Sequence, residues 1–250
     1  YEISCSLVGS EMCIRDRPGE HNYIYVRTPL GEDEEKNYDE ITFYDGLGRE
    51  LDFAQSYGAD RAGAIMAHHH LIEYDSLGRK EKQWLSTNTS FSYMSPEDLK
   101  GGVLWDYHDA GKRSYLQTNY ESSPLNRITE QYGVGDAWGD HPARMEYLTN
   151  IPADSLRCSF YFIDDNDSLI RRGDYRSGEL QVTKATDEDG KPTYTFVDKQ
   201  GRTLLTRLGR GNQQADTYFV FDRFGRIRYV LPPMINDEIS AGNLDLYAYQ

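Results

Sequence analysis

Apolar positions along this chain come in short bursts separated by polar ones, and apolar runs are seldom longer than five residues. A period of two places every second side chain on one face of a strand. Asn22-Tyr23-Ile24-Tyr25-Val26-Arg27-Thr28 and Arg144-Met145-Glu146-Tyr147-Leu148 alternate in this way and are predicted strands. Ile128 to Tyr132, Phe160 to Ile163, Ser168 to Ile170 and Leu180 to Thr183 are predicted strands too, being rich in β-branched and aromatic residues. In Ala62 to Ala67, which runs on into His68-His69-His70, the alanines and Met66 favour helix and Gly63 weakens it. Because the segment feeds directly into a turn, strand is the expectation. One short helix is expected at Ser95 to Leu99: a cap residue, Pro96 at the first helical position, acids in the first turn, and Gly101-Gly102 to end it.

Four stretches between the strands spell one pattern: Tyr44-Asp45-Gly46-Leu47-Gly48-Arg49, Tyr74-Asp75-Ser76-Leu77-Gly78-Arg79, Val197-Asp198-Lys199-Gln200-Gly201-Arg202 and Phe221-Asp222-Arg223-Phe224-Gly225-Arg226. Aspartate opening a type I turn accepts a backbone hydrogen bond from two residues on, and glycine three later takes the positive φ that closes a bulged hairpin loop. Arginine then starts the return strand. Asp187 to Gly190 is a degenerate fifth copy, and Asp164 to Asp167 is another turn. Spacing between the aspartates is uneven, which argues for hairpins added to a growing sheet rather than a strict solenoid. Aromatic rings before the turns are expected to stack between neighbouring hairpins, with the arginines either laid across them or simply solvated.

Composition supports the same class. Twenty tyrosines, nine phenylalanines and 22 glycines suit many short strands joined by tight turns. The expected fold is all-β: stacked antiparallel hairpins in an open, twisted or shell-like sheet with one or two short helices, in two lobes at 18–150 and 151–250.

The aromatic-Asp…Gly-Arg unit resembles the YD repeat of bacterial Rhs-type proteins. Asn22-Tyr23-Ile24, Glu121-Ser122-Ser123-Pro124-Leu125-Asn126-Arg127, of which 123–127 reads as a turn into the next strand, Glu146-Tyr147-Leu148-Thr149-Asn150, Tyr229-Val230-Leu231-Pro232-Pro233 and Leu244 to Gln250 together resemble the uncharacterised region preceding the Rhs core. The third repeat departs from the pattern, with Val197 in place of the ring. The resemblance implies a non-catalytic structural module of a large secreted or cell-surface protein, part of a shell or display scaffold for a C-terminal effector. On that reading the chain is a fragment, and its partners are further repeats of its own polypeptide and that effector.

Leu7 to Asp16 resembles one reading frame of a transposon-type sequencing adapter, ten residues in a row, so residues 1–17 are expected to be an artefact, disordered or loosely attached. Without them the chain keeps 38 acids against 25 bases, net −13, from 41 and 27 overall. That balance repels nucleic acid and anionic membrane. Cys158 is then the sole cysteine, read as a small core residue, and no apolar run reaches bilayer-spanning length.

No nucleophile elbow, phosphate loop or paired-histidine zinc motif is present. His68 and His70 would share a strand face, but no third ligand stands at a suitable spacing, so polar surface is the reading and no metal or cofactor is expected. The acidic turns lack the alternation of a calcium loop. An enzyme is therefore not expected. The alternative to a scaffold is a glycan- or protein-binding surface, for which exposed Trp84, Trp105 and Trp138 would supply stacking platforms.

Overall fold

The computed structural model describes residues 3–7, 10–15, 22–29, 37–56, 66–209 and 214–235, with the single positions 240, 244 and 248. The fold is all-β, with one α-helix element among the described residues. The chain divides into two units, Tyr1–Asp140 and His141–Gln250. The division comes earlier than the expected boundary after residue 150, because the strand Ala143–Thr149 pairs along its length with Gln181–Thr186.

In the first unit the strands are β1 (Ile3–Leu7), β2 (Ser10–Arg15), β3 (Asn22–Pro29), β4 (Asn37–Tyr44), β5 (Glu50–Ser56), β6 (Met66–Tyr74), β7 (Lys80–Trp84), β8 (Thr87–Ser90), β9 (Tyr115–Tyr120) and β10 (Ile128–Tyr132). They pair antiparallel in the order β1-β2-β3-β4-β5-β6-β7-β9-β10. Long β6 is shared: Met66–His69 pairs with β8, and Ile72–Tyr74 with β7. Within the segment expected to be an artefact, β1 and β2 pair with each other and β2 pairs with β3. The pairing of β2 with β3 is through the main chain, which any short extended stretch can supply. The segment Ala62 to Ile65 lies outside the described residues, while Met66 to Glu73 is strand, as its entry into the turn required.

One face of β4, β5 and β6 is buried in strict alternation, with Ile41, Phe43, Ala54 and Ala67 packed against Tyr23, Tyr25, Phe91 and Tyr93. A second cluster joins Leu71 and Trp84 to Leu99 and Val103 of the helix α1 (Pro96–Asp106). Ser95 caps that helix, its Oγ accepting from the Asp98 amide at 3.1 Å. Contrary to expectation, Gly101-Gly102 does not end it. Leu99 and Val103 lie one turn apart on the buried face, and a Cβ on Gly102 would meet Thr87 Oγ1 at 2.8 Å. The glycine therefore lets the helix approach β8, and apolar burial beyond it outweighs the roughly 1 kcal/mol that glycine costs in a helix.

The second unit holds β11 (Ala143–Thr149), β12 (Ser159–Ile163), β13 (Leu169–Asp174), β14 (Gln181–Thr186), β15 (Pro192–Val197), β16 (Thr203–Leu208), β17 (Ala215–Phe221) and β18 (Ile227–Leu231). Its sheet runs β11-β14-β15-β16-β17-β18, and β12-β13 is a separate hairpin. Its core gathers Leu180, Val182, Phe196, Leu205, Val220 and Leu231, with Cys158 among them. Tyr161 of β12 meets Tyr218 of β17 edge to face at 4.8 Å, fixing the hairpin onto the sheet.

Candidate functional site

The four aspartate turns have one geometry. At the first, the Asp45 amide donates to the Arg49 carbonyl at 2.9 Å and the Gly48 amide to the Asp45 carbonyl at 3.0 Å. Asp45 Oδ1 accepts from the amides of Leu47 and Arg49, both at 2.8 Å, and Oδ2 from Arg49 Nε at 2.7 Å. Asp75, Asp198 and Asp222 repeat these bonds with Leu77 and Arg79, Gln200 and Arg202, and Phe224 and Arg226. Gly48, Gly78, Gly201 and Gly225 all have φ between 74 and 79°. The strand register shifts at Tyr44, Tyr74, Val197 and Phe221, the bulge that an extra turn residue imposes.

Both carboxylate oxygens are thereby occupied, and all four aspartates are held below their ordinary value of 3.8. For Asp45 and Asp222 the arginine's backbone N–H is the main cause. For Asp75 and Asp198 burial pushes upward, and the hydrogen bonds outweigh it.

The arginine is not what makes the turn. Asp187 and Asp164 build the same backbone reversal with Lys191 and Ser168 in its place, and Asp167 takes the glycine's position at φ 64°. Arginine acts outward instead. Arg49 Cζ lies 4.6 Å from the ring centre of Tyr74, in the next turn along the sheet; Arg79 lies 4.7 Å from Tyr120, and Arg202 5.0 Å from Phe221. Each guanidinium is held by its own aspartate and presented to the ring that precedes the following turn. Ring-on-ring stacking between consecutive turns, the other expectation, is absent among the described aromatic pairs.

Tyr120 opens a further turn that the repeat pattern missed. Glu121 replaces the aspartate and grips Arg127 through two bonds of 2.8 and 2.7 Å, while Asn126 takes positive φ at 54°. Arg127 brings the Glu121 carboxyl down to about 2. A turn over 123–127 was expected, but its kinship with the aspartate turns was not, because the loop is two residues longer; the signal was an acid after the aromatic and Asn-Arg at the close. The segment holding all three of these turns, residues 22–149, matches a family model described as a domain of unknown function, DUF6443, over half of the chain. The chain belongs to the DUF6443 family. Asp198 and Asp222 lie beyond the DUF6443 segment, so the same lock recurs outside it. No curated protein matches the chain.

The other candidates separate. His68 and His70 share the exposed face of β6 while His69 points inward. His69 Nδ1 is 2.6 Å from Asp52 Oδ2, and its Nε2 is 3.0 Å from the Ser90 carbonyl oxygen. A carbonyl only accepts, so Nε2 donates to Ser90, leaving Nδ1 to face the Asp52 carboxyl. Burial lowers the His69 pKa, but the bond and charge of Asp52 reverse this and the net shift is upward.

This pair lay invisible in the sequence, as did two others. Asp39, buried, accepts from Tyr25 and Arg27, and burial followed by Asp39 pushes the Tyr25 hydroxyl up to about 12. Arg207, also buried, binds Asp216 through two bonds of 2.8 and 2.6 Å and donates to the carbonyls of Ser155 and Arg157.

No three His, Cys, Asp or Glu side chains converge on a metal position among the described residues. Cys158 is buried, its Sγ turned to the Ser159 carbonyl. Of the tryptophans, Trp84 is buried with its Nε1 donating to Glu73, so it offers no platform, whereas Trp105 and Trp138 are exposed.

Proposed function

We propose that this chain is a non-catalytic structural module of a large secreted or cell-surface protein of the Rhs type, contributing hairpins to a shell or display scaffold for a C-terminal effector. One observation carries the reading: the residues that recur are consumed in joining one hairpin to the next. The repeated carboxylates have both oxygens filled, and three of the four repeated guanidiniums, those of Arg49, Arg79 and Arg202, lie between their own turn and the next ring. A catalytic acid needs a reachable proton and a tuned pKa near the working pH, and these aspartates are pushed the other way.

The test is location and ligand together. Protease shaving of intact cells and mass spectrometry of the medium are expected to recover peptides of this chain from the surface or secreted fraction. Recovery from the cytosol alone contradicts the proposal. A glycan array is expected to show no saturable binding; binding abolished by Trp105→Ala or Trp138→Ala moves the reading to a glycan-binding surface.

A further inference from the structure

The two free positions of the aspartate turns differ between the units. In the first unit they carry Gly46-Leu47 and Ser76-Leu77, and in the second Lys199-Gln200 and Arg223-Phe224. The turns do not use the side chains of Gln200 and Arg223, because Asp198 and Asp222 bind only backbone amides and the closing arginines. Both side chains instead line a cleft of about 320 Å³ within the second unit, between β12 and the turn-bearing ends of β16 and β17. Its walls include Phe160, Phe162, Tyr175 and Phe221, with Phe160 edge to face on Tyr175 at 4.8 Å. An apolar, ring-lined cleft of that size with a few unpaired polar groups is the usual form of a small-molecule site.

The acceptors of this cleft are spent and its donors are not. Asp222 is filled by its own turn and Arg226, and Ser159 Oγ bonds to Asp174 and Arg171. The Tyr175 hydroxyl, the Gln200 side-chain amide and the Arg223 guanidinium have no hydrogen-bond partner among the described residues. Arg223 has no ion pair there either, its guanidinium lying 5.0 Å from the ring of Phe224. Arg202 holds Asp198 through Nε and Nη2, which leaves Nη1 over. Burial pushes the Tyr175 hydroxyl up, so it keeps its proton at neutral pH and can donate. An aromatic floor thus lies under a rim of donors with the charge of Arg223 uncompensated. We propose that this cleft binds an aryl-substituted carboxylate, its ring against Phe160, Tyr175 and Phe221 and its carboxylate accepting from Arg223, Gln200 and the Tyr175 hydroxyl. A carboxylate only accepts, which suits unspent donors, and charge-assisted bonds of this kind are the stronger ones. A neutral sugar brings as many donors as acceptors and leaves Arg223 without a counter-charge. This site does not depend on the scaffold reading, which concerns where the protein resides.

The probe is 3-phenylpropionate, titrated into the full chain labelled with 15N. Saturable shifts are expected at the amides of Gln200, Arg223 and Tyr175, with a Kd of about 1 mM for so small a ligand. The neutral isostere 3-phenylpropanamide and the ring-less propionate are each expected to bind at least about fivefold more weakly. Arg223→Gln removes the charge and Tyr175→Phe the hydroxyl alone, and neither side chain makes a bond that holds a turn. Each is expected to weaken 3-phenylpropionate roughly three- to tenfold while the remaining amide resonances stay where they are. No saturable shift by about 20 mM probe overturns the proposal. So does equal affinity for the amide or for propionate, or parental affinity in either variant, and the rings are then simply part of the packing between β12 and the sheet.

Discussion

Gly78 and Gly225 hold nearly the same backbone angle, φ 79 and 78°, but not the same surroundings. A Cβ at Gly225 would find only Arg202 Nη1 at 3.9 Å, whereas at Gly78 it would meet Arg49 Nη1 at 3.1 Å. Gly225→Val is therefore expected to cost only the left-handed backbone penalty, about 1–2 kcal/mol. Gly78→Ala is expected to add about 0.5–1 kcal/mol by displacing Arg49 from Tyr74. Urea unfolding of the two variants checks the difference, and equal losses would show that Arg49 yields without consequence. His69 gives a pH dependence of known sign. Its pKa is raised on folding, so its contribution is complete below its ordinary value of 6.5 and disappears as pH rises through the folded value. Melting temperature is expected to fall above pH 6.5, and His69→Gln to flatten that fall; an unchanged slope in the variant would contradict the buried pair. None of this was readable from three adjacent histidines, because which one faces inward is set by the register of β6 against β5.

Among the elements, α1 shows where local rules stop. Its start was legible, since Ser95, Pro96 and two acids act through the nearest backbone, but its length was not. Glycine at 101 and 102 ends helices only where nothing beyond is buried, and Val103 is. Gly102→Ala, which stabilises an exposed helix, is expected here to destabilise, because Thr87 Oγ1 stands 2.8 Å from the new Cβ while donating to Asp106. A rise in melting temperature on that substitution would show that Thr87 can move aside. The hairpins were more legible than the helix for the same reason. Asp45 and Gly48 determine their turn within five residues, and no distant partner is needed to recognise it. Glu121 and Asn126 build an equivalent turn with other residues and a longer loop, which a fixed spacing does not find.

Across the molecule the sequence conveyed an all-β class and the repeated reversal, but not where one unit ends, because strand β11 is assigned by its long-range partner β14. It also conveyed no polar core. Asp39, Asp52 and Asp216 are paired through tertiary contacts between strands that no short motif encodes. The turn aspartates contribute to the acid sensitivity of the fold. Their folded values are lowered, so their contribution is present above about pH 3.8 and is lost as pH falls through those lowered values. Acid titration followed by circular dichroism is expected to show the loss beginning below that point, and Asp75→Asn to reduce its steepness. An Asp75→Asn titration that overlays the parent would count against the turn hydrogen bonds as its source.

The central claim is that arginine binds one hairpin to the next rather than merely closing its own turn, and the 5.0 Å contact of Arg202 with Phe221 tests it most directly. A double-mutant cycle of Arg202→Ala and Phe221→Leu, read by urea unfolding, isolates that contact from the turn and from the core. The expected coupling is about 0.5–1 kcal/mol in favour of the native pair. Strictly additive losses would mean that the arginines serve their own turns alone.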